Sequence, residues 1–298
     1  MGQKDTPIGK KVKAYIVFTK FRLAFSVVLS ALAGYLFADT APTTNYAHLF
    51  YLLVGGMLVT AASNGSNQIW ERDLDKLMKR TEKRPIPMGL MSLKEAYTVV
   101  ISALILGTYL LYLINVYSAI LGFLAYISYV FIYTPLKRVT PWAVFVGAVP
   151  GAIPPMLGAV AATNDFGLLP GVLFFVQFMW QFPHFWAIAW VLYDDYKAGG
   201  FSLLPSKSGR SKASAFQIVI YSLALVPFSL LPWFLGWTGT VSLIVASIFS
   251  LAFFMYAYKL LQSCETKDAR KLMFASFVYL PIIQFLYVFD RIESALPN

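Results

Sequence analysis

Asn67, Glu71 and Asp75 stand four residues apart at the end of an apolar run. A helix turns about 100° per residue, so side chains at this interval drift only about 40° per step and share one face. Amide and carboxylate oxygens are hard donors that suit Mg2+, which keeps several waters and takes one or two carboxylates together with substrate phosphate oxygens. The row therefore predicts a metal ion held against a phosphorylated substrate.

The loop carrying this row interleaves acids and bases from Glu71 through Asp73, Asp75, Lys79, Arg80 and Arg84 to Pro85 and Pro87. Pairs four apart, such as Asp75 and Lys79, would also lace a solvated helix end, but that leaves unexplained an Asn in line with two acids at a membrane edge. Pro85 and Pro87 end the helical stretch. Arg80 and Arg84 are placed to neutralise a diphosphate released from the metal. A second acidic loop reads Tyr193-Asp194-Asp195-Tyr196-Lys197. Adjacent acids cannot share one helix face, so Asp195 is assigned inward, while Asp194 and Lys197 are candidates for substrate contacts at the rim. The adjacent cations Lys137 and Arg138 are read as a clamp on leaving phosphates, although positive charge at that connection also serves topology.

His184 is one of two histidines, in the run Gln181-Phe182-Pro183-His184. A polar ring at membrane depth marks a functional site by default. Three roles stay open for it: contact with iron or substrate, proton handling, or hydrogen-bonded packing. His48 begins a span and is read as interfacial. The single Cys264 rules out an intrachain disulfide.

These residues need elements to position them. With 58% hydrophobic residues, 13% charged residues and a mean hydropathy of +0.65, the chain is an integral membrane protein. Apolar runs near the length of about 20 residues needed to cross a bilayer place nine helices at about 17–38, 46–68, 94–115, 117–134, 141–161, 168–192, 213–236, 239–261 and 271–290. Continuous runs such as Leu169 to Trp180 lack period-two alternation, so the spans are helical and no barrel is formed. All but one of the 24 Lys and Arg residues, from Lys4 to Lys271, fall in alternate connections, Arg291 being the exception. That pattern puts the N-terminus in the cytoplasm and the C-terminus outside. It also accounts for the net charge of +10 without nucleic-acid binding. Acids after the second and sixth spans suggest two four-helix halves and a ninth helix around a central cavity. The expected divisions are a cytoplasmic segment 1–16, a single domain 17–290 and a short outside tail 291–298. Ala31-Leu32-Ala33 has the form of a signal-peptidase site, but cleavage would remove one span from a coherent set. A secondary transporter would carry its ionisable residues near the midplane, whereas nearly all acids here lie at one edge.

The loops resemble those of the intramembrane, UbiA-type prenyltransferases. The family's first acidic signature stands here as Asn67-Gln68-x-x-Glu71-x-x-x-Asp75, and its second retains only Asp195, with Val191 where an Asp is expected. Within the family, Met78-Lys-Arg-Thr81-x-x-Arg84-Pro85-x-Pro87-x-Gly89, Tyr133-Thr-Pro-Leu-Lys-Arg138, Gln181-x-Pro-His184-Phe185 and Asp194-Asp-Tyr196-x-Ala-Gly199 resemble the haem-farnesylating branch. The resemblance implies transfer of a farnesyl group from farnesyl diphosphate to a vinyl side chain of haem b in a bacterial inner membrane, supplying terminal oxidases. It implies Mg2+ on Asn67, Glu71, Asp75 and Asp195. Lys137, Arg138, Arg80 and Arg84 would serve the leaving group. Prenyl transfer to a quinone or chlorin precursor is the alternative within the family, and a haem-binding assembly protein the alternative outside it. A haem A synthase or an oxidase-assembly protein as partner is left open.

Overall fold

A computed structural model describes residues 8–296; Lys4 and the rest of 1–7, within the expected segment 1–16, and residues 297–298 of the expected tail lie outside the described residues. Backbone in hydrocarbon has to satisfy its own N–H and C=O groups, so apolar runs of bilayer length fold as helices. Helix α1, Ile8–Thr19, precedes the spans. Nine helices long and apolar enough to cross a membrane follow among the described residues: α2 Phe21–Ala38, α3 Tyr46–Trp70, α4 Leu93–Tyr112, α5 Val116–Leu136, α6 Ala143–Thr163, α7 Leu168–Val191, α8 Lys212–Phe234, α9 Thr240–Ser263 and α10 Thr266–Phe289. No strand occurs among them, only the isolated pairing of Thr238 with Arg291.

Two boundaries differ from the apolar pattern for physical reasons. The first expected span, 17–38, is divided at Lys20, whose left-handed φ of 48° and ψ of 53° separate α1 from α2. Helix α10 begins five residues before the expected 271, at Thr266. Its first turn is charged and so escapes a hydropathy reading, and Asp268 is held there by the Ser263 hydroxyl at 2.7 Å.

Each span packs against the next in sequence, and α10 closes on α2; across the ring α2 also lies on α6 and α10 on α7. The α2–α6 contact is made backbone to backbone. A Cβ at Gly34 would collide with the Pro155 carbonyl, and one at Gly158 with the Ala31 carbonyl. Small residues at such crossings replace the hydrophobic drive that lipid cannot supply. Two cores flank this contact. One gathers Leu52, Val59, Val100, Leu121 and Leu157, and the other Trp180, Trp186, Trp190, Phe253 and Tyr279.

Pro155 has no N–H for the Gly151 carbonyl. Gln177 Nε2 donates to that oxygen instead, at 2.6 Å. Gln284 Nε2 donates to Gln177 Oε1 at 2.6 Å, and Ser30 Oγ to Gln284 Oε1 at 2.9 Å. One buried chain of side chains thereby ties α2, α6, α7 and α10 together. Gly158→Leu is expected to drive α2 off α6 and to destabilise the bundle by at least about 1–3 kcal/mol. Thermal unfolding of detergent-solubilised protein checks this, and an unchanged transition would contradict the close crossing.

Candidate active site

Helix α3 ends at Trp70, but its hydrogen-bond spacing does not. Glu71 N–H donates to Asn67 O at 2.9 Å and Asp75 N–H to Glu71 O at 2.8 Å, carrying the four-residue interval into the short turn Arg72–Asp75. The row therefore survives the break. Asn67, Glu71 and Asp75 are 1%, 4% and 0% exposed, and two carboxylates at that burial require partners.

The partners come from two other segments. In α5, residues Ser128–Tyr133 form a π-helical turn, a widened geometry common at functional sites. Thr134 Oγ1 donates to Tyr129 O at 2.8 Å and accepts from Asn67 Nδ2 at 3.3 Å. The turn delivers Lys137 inward, where its ammonium is ion-paired with Glu71. Nζ lies 5.0 Å from the Tyr133 ring centre and 5.3 Å from that of Phe201, within cation–π range. The second partner is Arg84, whose Nη1 donates to both Asp75 oxygens at 2.8 Å. Thr81 Oγ1 donates to Asp75 O at 3.0 Å and fixes the turn that brings Arg84 back.

Burial raises the Asp75 carboxyl above its ordinary range, and Arg84 pulls against that shift. Burial lowers the Lys137 ammonium, and Glu71 opposes it. Each charge is thus held by its partner against the cost of its surroundings.

The loop after α7 completes the cluster. Asp195, half-buried, accepts from the Arg80 backbone N–H at 3.1 Å. The Arg80 guanidinium lies 5.9 Å from the Tyr196 ring centre, and Tyr196 stays a neutral phenol because burial raises it. Gly199 lets the buried Met78 side chain pack close, since a Cβ there would press on its sulfur.

Not every expected residue joins the cluster. Arg138 and Lys197 are exposed. Asp194 is exposed and pairs at 3.0 Å with Arg210. Of the cation pair at 137 and 138, only Lys137 turns inward. His184 lies seven residues inside α7, about 10 Å from its end at 1.5 Å per residue. Trp180 stacks on its ring at 4.2 Å. The Ser276 hydroxyl donates to Met273 O at 2.6 Å, so toward His184 it is an acceptor, and Nδ1–H donates to it at 2.7 Å. That assignment leaves Nε2 with its lone pair. Gln177, Gln181 and His184 share one face of α7 by their spacing.

Thr81, Thr134, Tyr133 and Phe201 are the members that residue spacing alone does not reveal. The first three lie inside the resembled segments, but hydroxyls and rings carry no signal of partner choice. Among the described residues no three His, Cys, Asp or Glu side chains form a metal cage by themselves. The donor set of one amide and two carboxylates in a row fits a hard cation that shares its shell with phosphate oxygens.

A nine-span helical ring with this acidic row facing basic loops defines a class. The chain belongs to the UbiA prenyltransferase family, whose model matches residues 27–279, and it is a prenyl-transferring enzyme. It is 46% identical over 286 residues to the protoheme IX farnesyltransferase of Cytophaga hutchinsonii, covering 96% of this chain and 100% of that one. It is 48% identical to the protoheme IX farnesyltransferase of Flavobacterium psychrophilum, covering 96% of each. Among solved structures, a digeranylgeranylglyceryl phosphate synthase superposes with a TM-score of 0.78 at 21% identity, covering 94% of this chain and 98% of that one. A UbiA homologue from Archaeoglobus fulgidus bound to DMAPP and Mg2+ superposes with a TM-score of 0.68 at 16% identity, covering 92% and 98%.

Arg84→Met leaves Asp75 buried without its cation and is expected to destabilise the fold by about 3–5 kcal/mol. Adding Asp75→Asn to that variant is expected to recover part of the loss. A double-mutant cycle on unfolding measures the coupling, and simple additivity would contradict the pair.

Proposed function

We infer that the protein transfers a farnesyl group from farnesyl diphosphate to a vinyl side chain of haem b, with addition of water, giving haem O and diphosphate. The observation that carries this reading is the pair of buried ion pairs, Glu71 with Lys137 and Asp75 with Arg84, set at the end of a lipid-embedded ring. The names of the relatives at 46% and 48% identity support the donor and acceptor.

Asn67, Glu71 and Asp75, with Asp195 from the opposite loop, are the residues that would hold Mg2+. When bound, the ion neutralises the diphosphate and stabilises it as a leaving group. The presence of Mg2+ with a prenyl diphosphate in the Archaeoglobus fulgidus homologue supports this choice of metal. With the carboxylates engaged by such a cation, Lys137 and Arg84 would be released to phosphate oxygens, joined from the rim by Arg80. The charge balance of the cluster is thereby kept through binding.

The C1–O bond of the farnesyl diphosphate breaks with both electrons leaving on the diphosphate. The allylic cation is shielded from water by the rings around the cluster, Tyr129, Tyr133, Tyr196 and Phe201, whose faces favour positive charge. The vinyl electrons form the new C–C bond, and the resulting cation beside the macrocycle takes water and loses a proton. His184, with Nε2 free to accept, belongs to the acceptor side. In this reading the basic connections lie on the cytoplasmic face of a bacterial inner membrane, which their distribution supports. Residues 17–290 form one domain in this reading.

Purified protein with haem b, farnesyl diphosphate and Mg2+ is expected to yield a haem heavier by one farnesyl group and one water. Chelation is expected to abolish the product. Asp75→Ala should lower turnover at least about a hundredfold, and His184→Ala should raise the KM for haem more than that for farnesyl diphosphate. Consumption of farnesyl diphosphate only with another acceptor would overturn the haem assignment.

A further inference from the structure

The hydroxyl of the product has to come from a water that stands inside a bundle built to keep water out. Helix α6 carries Pro150, Pro154 and Pro155. A proline has no N–H for the carbonyl four residues before it, so Val146 O, Pro150 O and Gly151 O lose their helical donors. Gln177 Nε2 answers Gly151 O at 2.6 Å, and among the described residues no side chain answers the other two. Carbonyls freed in a membrane helix are met by neighbouring side chains or by ordered water.

Gln181 faces the same stretch. Its amide packs so closely on Gly151 that a Cβ there would lie 2.5 Å from Nε2 and 3.0 Å from Oε1. The residue is 4% exposed, yet among the described residues its amide makes no hydrogen bond, whereas those of Gln177 and Gln284 bond to one another. A buried amide in that state costs free energy, and a water with polar partners removes the cost. Nε2 can donate to such a water or Oε1 accept from it.

The depth of this amide matches the reaction. One turn before Gly151, Gly147 makes the same room for Tyr133, whose ring would lie 2.6 Å from a Cβ there. That ring borders the Lys137 ammonium at 5.0 Å, and Lys137 pairs with Glu71 of the acidic row. Gln181 therefore packs on α6 about 6 Å farther along its axis than the ring beside the diphosphate site, at 1.5 Å per residue. Farnesyl C1 parts from the diphosphate, and the haem carbon left cationic lies two carbon–carbon bonds from C1.

We propose that Gln181 holds the water that quenches the haem cation, at a site formed with the freed carbonyls of α6. This rests on the reading above that haem b is farnesylated. The water oxygen bonds to the cationic carbon, and a water proton passes to the diphosphate set free by the ionisation. Without an ordered water the cation loses a proton from the adjacent carbon instead, and the product is an alkene lighter by one water.

The test uses the full chain in detergent with haem b, farnesyl diphosphate and Mg2+, and reads the haem products by mass. Gln181→Met keeps the bulk of the side chain and removes the amide. The ratio of dehydrated to hydrated farnesyl haem should rise at least about tenfold over the parent, with the KM values of both substrates little changed. Gln181→Glu keeps a hydrogen-bonding group and should restore the hydrated product. Should Gln181→Met fail to fold, Gly151→Ala, which pushes the amide from its seat, carries the same test. A folded Gln181→Met protein that keeps the parent's product ratio, or that stops farnesylation altogether, would overturn the assignment of Gln181 alone. A parent protein that yields no farnesylated haem would overturn the functional reading and the water site with it.

Discussion

Charge buried at the edge of a hydrocarbon slab has to be matched by charge, and Glu71 and Asp75 meet that condition only by drawing in two distant segments. Lys137 arrives from the end of α5 and Arg84 from the turn after Thr81. The desolvation cost per ion is several kcal/mol, larger than any single contact that shapes these loops. The two pairs therefore organise the site more than any apolar contact does: Arg84 draws the basic loop back over the row, and the π-helical turn of α5 presents Lys137 to it.

The same condition joins stability to chemistry. Pairing makes these buried charges tolerable in a low-dielectric setting, and the same four groups are the ones a metal-bound diphosphate would address. The carboxylates suit the cation and the cations suit the phosphates. Aromatic rings close around Lys137 from Tyr133 and Phe201, so in the proposed reaction the surroundings that force pairing would also keep water from a reactive cation. Farther along α7, His184 is oriented by Ser276 and Trp180.

Much of this was legible in the residues. Nine spans follow from runs matched to bilayer thickness, and the row at 67, 71 and 75 was readable because the four-residue bonding persists past the end of α3. Partner choice was not legible. Nothing local tells Lys137 from Arg138; the π-helical turn in α5 separates them. The break at Lys20 is equally silent, since it depends on Gln68 and Asn64 holding carbonyls some 45 to 50 positions away. The Ser30–Gln284–Gln177 chain joins residues from both ends of the sequence, and it answers a carbonyl that Pro155 leaves unpaired.

The exchange of partners at the acidic row is the central claim, and an experimental structure with Mg2+ and farnesyl thiodiphosphate tests it most directly. The expected result has Lys137 and Arg84 on phosphate oxygens, with Asn67, Glu71 and Asp75 turned to the metal. A diphosphate bound while Glu71–Lys137 and Asp75–Arg84 remain closed, or bound away from this row, would contradict it.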